Sequence, residues 1–64
     1  MKYIVKCQAA SGEIIHEYSL EAKNQQEAHI ANHSHPECDR AAMIAYEKGI
    51  CEYQFVIYPI TDMN

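Results

Sequence analysis

Glycine and proline occur only twice each in this chain of 64 residues. The two glycines, Gly12 and Gly49, stand alone, so no glycine-rich loop is present to cradle a phosphate. Such scarcity also leaves little room for a linker, and the chain shows no internal repeat or low-complexity stretch. A single domain over residues 1–64 is therefore expected. Basic residues are few as well: Lys2, Lys6, Lys23, Arg40 and Lys48, against nine acids, for a formal net charge of −4. Affinity for nucleic acid rests largely on clustered Lys and Arg, and this scattered set argues against holding phosphates by bulk attraction. No apolar run approaches the roughly 20 residues that cross a bilayer, so no membrane partner is expected. In MKYIVKCQ the charge at Lys6 falls where an export signal would be apolar. The three cysteines make an odd count, whereas a secreted disulfide framework ordinarily uses an even one. Reduced thiols in a cytoplasmic protein are the expectation.

What is present is globular in character, at 48% hydrophobic and 22% charged. A domain this small buries only about 60% of its unfolded surface. Burial and chain entropy then nearly cancel, so such scaffolds usually need a staple or a partner. KYIVKCQA alternates, with Tyr3, Val5, Cys7 and Ala9 on one side and Lys2, Ile4, Lys6 and Gln8 on the other, the period of a strand. After the break at Ala10-Ser11-Gly12, EIIHEYSLEA alternates again. Ile14, His16, Tyr18, Leu20 and Ala22 are expected to face inward, and Ile15, Glu17, Ser19 and Glu21 outward. Two such runs joined by a few residues containing Gly predict a β-hairpin.

Asn24 followed by Glu27 has the spacing of a helix cap, and Glu27 suits the positive end of the helix dipole. Pro36 would break that helix and can open a second, for which Ser34 and Glu37 have capping-box spacing. In PECDRAAMIAYEKG, residues Cys38, Ala41, Ala42 and Ala45 form a narrow stripe, and Gly49 is a natural stop. ICEYQFVIYPI returns to strand alternation, with Cys51, Tyr53, Phe55 and Ile57 on one face, and Pro59 marks an end or an edge. The prediction is a two-layer α+β domain, β-β-α-α-β, with a three-stranded, mainly antiparallel sheet and its helices on one face. If the helices form one broken rod the order is β-β-α-β.

HIANHSHPEC gathers three histidines and a cysteine. His29 and His33 are i and i+4 on a helix, a spacing that helical metal pairs use, and His35 and Cys38 could complete a tetrahedral set. All four would come from one decapeptide interrupted by proline, with no second ligand arm and no H-E-x-x-H pattern. Solvated or capping histidines are expected, with metal binding by His29, His33, His35 and Cys38 as the alternative. Cys38 in the first turn of a helix, near His35, also has the placing of an activated thiol. The chain has no spare loop from which to build the rest of a catalytic site. Cys38 is expected to pack in the core, as are Cys7 and Cys51. No catalytic residue and no cofactor are expected.

The chain holds more apolar side chains than one covered sheet face can hide. AAMIAY is apolar through nearly two turns, and a helix apolar on several sides is buried on several sides. The last strand carries Tyr53, Phe55 and Ile57 on one face and Val56, Tyr58 and Ile60 on the other. Exposed apolar patches mark interaction sites, so Met43, Ile44, Tyr46, Val56 and Tyr58 are the expected binding surface. The leading expectation is a small, acidic, non-enzymatic protein of accessory or inhibitor type that acts by binding another protein, alone or as a homodimer. The last strand's edge could equally recruit a partner's strand. A nucleic-acid module would have to use Tyr3, Tyr18, Tyr53 or Tyr58 for stacking, and the charge balance opposes it.

Overall fold

In a computed structural model, residues 1–60 are described. The elements are β1 (Lys2–Ala9), β2 (Ile14–Glu21), α1 (Gln25–His33), α2 (Pro36–Glu47) and β3 (Tyr53–Pro59), the expected β-β-α-α-β order with two separate helices. The three strands form one open sheet in the order β2-β1-β3, and both pairings are antiparallel. The first strand is therefore the central one. Its inward residues Tyr3, Val5, Cys7 and Ala9 are all buried.

A short turn joins β1 to β2, where Ala9 N–H donates to Glu13 at 2.8 Å and Gly12 N–H donates to Ala9 at 2.9 Å. Gly12 takes φ +99°, a region that only glycine enters at little cost. The alternation expected for β2 holds from His16 onward and fails before it. Cys7 pairs with His16, but Gln8 pairs with Ile14, so the ladder carries a bulge and Ile15 is the extra residue. The bulge turns Ile15 into the core and leaves Ile14 exposed, the reverse of the expected facing.

Asn24 caps α1, its Oδ1 accepting from Glu27 N–H at 2.9 Å as the spacing predicts. Ser34 closes α1 instead of capping α2. The α2 N-cap is His35, whose Nδ1 accepts from Glu37 N–H at 3.1 Å, with Pro36 in the first turn. At the far end Gly49 N–H donates to Tyr46 O and Ile50 N–H to Ala45 O, with Gly49 at φ +74°. That bond pair is a Schellman stop, and Ile50 folds back onto the core beside Ala45.

Both helices lie on the same face of the sheet. Ala28 of α1 packs with Tyr3, Val5, Leu20 and Ile57, and Ala41 and Ala45 of α2 pack with Cys7, Ala9 and Ile15. Phe55 touches both groups and joins them. Alanines at these positions let the helices approach closely, but the core is correspondingly thin: the largest fully enclosed side chains are Val5 and Cys7. Cys51 does not join it. Strand β3 begins at Tyr53, two residues beyond Cys51, so Cys51 lies outside the ladder and is exposed, contrary to expectation.

Candidate functional site

With the helices on one face, nothing among the described residues covers the opposite face of the sheet. Alternation along β3 sends Ile57 inward and Val56 and Tyr58 outward. On the same bare face Ile4 lies opposite Tyr58, and Lys6 opposite Val56. Ile60 extends the row, its N–H donating to Lys2 O at 2.9 Å. Ile4, Val56, Tyr58 and Ile60 thus form one apolar strip across β1 and β3. Tyr58 and Ile60 are 39% and 36% exposed, and Ile4 and Val56 are half-buried by their neighbours.

Charge borders the strip. The Lys6 ammonium sits 5.5 Å from the centre of the Tyr58 ring, a cation–π distance, and is paired across the ladder with Glu17. Tyr58 first and Glu17 second hold the Lys6 pKa above its ordinary value. Beyond lie Glu17, Ser19 and Glu21 on the outer strand β2.

A second apolar group lies on the other side of the molecule. Met43 and Tyr46, one turn apart on α2, are 64% and 84% exposed. Ile44 instead turns partly inward against the cluster that holds Ala41 and Ala45. The five residues expected to form one binding surface are therefore divided: Val56 and Tyr58 share the bare sheet face, Met43 and Tyr46 share the back of α2, and Ile44 supports the core.

The His/Cys decapeptide straddles the joint between the helices. His29 and His33 are exposed on α1, while His35 and Cys38 are half-buried at the start of α2. His29 pairs with Gln25 at 3.3 Å, and His35 is committed to capping and to stacking on Tyr18, with ring centres 5.1 Å apart. Among the described residues no three His, Cys, Asp or Glu side chains are placed to hold a metal ion. Burial first, then the nearby Asp39, pushes the Cys38 thiol above its ordinary pKa. That opposes the activation a thiol in the first turn of a helix could gain from the dipole.

The joint does assemble a polar cluster that the sequence did not announce. His16 on β2 donates from Nε2 to Glu37 Oε1 at 2.7 Å, and Arg40 Nε lies 3.3 Å from the same oxygen. The His16 hydrogen bond is the main cause that lowers the Glu37 pKa. Tyr18 donates its hydroxyl to Oδ1 of Asn32, the one buried polar residue among those described. Burial, with the charges of Cys38, Cys7 and Glu37 behind it, raises the Tyr18 pKa. These partners are 21 and 14 residues apart in sequence, beyond any helical or strand period, so spacing carried no signal for them. The side chains answer one another's hydrogen-bonding needs, and the arrangement fastens both helices to β2.

Comparison with known protein families, with curated proteins and with solved structures finds no match for this chain.

Proposed function

We propose that this chain is a non-enzymatic, acidic binding module that meets another protein through the bare face of its sheet. The observation that carries this reading is the strip of Ile4, Val56, Tyr58 and Ile60, apolar at its centre and bordered by Lys6, Glu17 and Glu21. A desolvated apolar centre with a charged, solvated rim is the anatomy of protein–protein interfaces. Tyr58 is the natural anchor, since tyrosine offers a large, stiff contact area with one polar tip. The polar cluster at the helix joint favours a structural role over catalysis, because His16, Tyr18, Asn32 and Glu37 spend their donors and acceptors on each other.

The acidic balance directs the choice of partner. A net charge of −4 repels phosphate backbones, and Lys6, the central cation on this face, is already engaged by Tyr58 and Glu17. A protein surface with an apolar patch and basic groups at its border, able to meet Glu17 and Glu21, fits best.

Site-specific photo-cross-linking in the native cell tests the reading. A photoreactive side chain at position 58 should give one discrete adduct with another protein. The same group at Glu27, exposed on α1, should give none. Equal labelling from both positions, or an adduct from Tyr46 alone, would overturn it.

A further inference from the structure

We infer that β3 pairs edge to edge with β3 of a second copy of this chain, antiparallel, about a two-fold axis through Gln54. Ala10 N–H donates to Glu52 O and Ile60 N–H donates to Lys2 O, so the even-numbered residues of β3 bond to β1. Antiparallel bonding alternates, and the main-chain groups of Tyr53, Phe55 and Ile57 therefore face away from β1, toward the sheet's outer edge.

That edge is protected at one end only. Gln25 of α1 donates its side-chain amide to Ile57 O at 2.6 Å, and Pro59 has no N–H to offer. Among the described residues, nothing bonds the outward N–H and C=O of Tyr53 and Phe55. The opposite edge of the sheet is defended in the ways edges usually are, by the bulge at Ile15 and by Glu17 and Glu21. Strand β3, YQFVIYP, carries no charge at all.

The occupant follows from symmetry and charge. Two copies of a chain carrying −4 repel, and meeting along β2 would bring Glu17 and Glu21 face to face. Strand β3 itself, Tyr53–Pro59, sets no like charge against a second copy. With the axis through Gln54, Tyr53 of each copy lies opposite Phe55 of the other, so free donors meet free acceptors and the capped Ile57 carbonyl is left alone. The facing residues are aromatic, and cross-strand aromatic pairs are among the favourable ones. The result is a continuous six-stranded sheet with both bare faces on the same side. The edge contact uses backbone groups that the proposed partner-binding face does not, so either can fail without the other.

The axis places Gln54 against its own copy in a non-hydrogen-bonded pair, with Cα atoms about 4.5 Å apart, within the span a disulfide accepts. Gln54 is exposed, so replacing it leaves the core intact. With the exposed Cys51 changed to serine, purified Gln54→Cys should oxidise to a covalent dimer at least tenfold faster than a Ser19→Cys control on the β2 edge. Sedimentation of the unaltered chain should show a monomer–dimer equilibrium that Gln54→Lys, which sets two ammonium groups together, shifts at least tenfold toward monomer. Equal oxidation of the two cysteine variants, or sedimentation unchanged by Gln54→Lys, would overturn the inference.

Discussion

Truncating one valine on each face of the sheet separates the covered side from the bare one. Val5 lies at the centre of β1, fully enclosed among Tyr3, Leu20, Ala28 and Ile57. Val56 lies beside it in the sheet, opposite Lys6 on the other face. Changing either to alanine removes the same two methyl groups, so intrinsic differences between the residues cancel to first order and burial dominates what remains. At Val5 the lost transfer energy is about 0.8 kcal/mol per carbon, or ~1.6 kcal/mol. A site that closes only partly adds a cavity cost of about 24 cal/mol for each Å³ left empty, bringing the total to about 2–3 kcal/mol. A 64-residue domain has roughly 3–10 kcal/mol in all, at 0.05–0.15 kcal/mol per residue. Val5→Ala should therefore lower the melting temperature by about 10 °C or more. Val56→Ala should cost about 0.5 kcal/mol, because solvent already reaches the site. Urea titration at low micromolar concentration measures both, and a common slope shows that the unfolded states are comparable. Equal costs for the two variants would refute the claim that one face is uncovered.

Three further outcomes follow from named contacts. The carboxyl of Glu37 titrates below its ordinary 4.5 in the folded chain, chiefly because His16 bonds it. Its stabilisation is therefore fully present above about pH 4.5 and lost as pH falls through the lower folded value, and Glu37→Gln should flatten that part of a stability–pH curve. Gly49→Ala should destabilise by about 1 kcal/mol in thermal melts, through backbone strain at φ +74° alone, since an added methyl would meet open space. Thiol titration with Ellman's reagent should modify Cys51 first and Cys38 more slowly, while Cys7, enclosed and raised in pKa by burial, reacts only on unfolding.

The sequence made the architecture legible wherever a period ran unbroken. Alternation in β1 placed Tyr3, Val5, Cys7 and Ala9 correctly, and Asn24, Pro36 and Gly49 marked helix ends by their own local chemistry. Alternation could not foresee the bulge, because inserting Ile15 changes facing without changing composition. Cys51 kept the inward register of a strand that starts only at Tyr53. Competition for the α2 cap also lay outside any spacing rule: His35 held it because the adjoining Tyr18 ring fixes the imidazole, leaving Ser34 to end α1. The excess of apolar residues was visible, but its division between two sides of the molecule required the strand order and the position of the helices.

The bareness of that sheet face is tested most directly by methyl NMR of the isolated chain with a soluble paramagnetic agent. Methyl signals of Ile4, Val56 and Ile60 should broaden strongly with the agent, while those of Val5 and Ile57 stay sharp. Protection of Val56 equal to that of Val5 would mean that the face is covered, and the proposed contact surface would not exist.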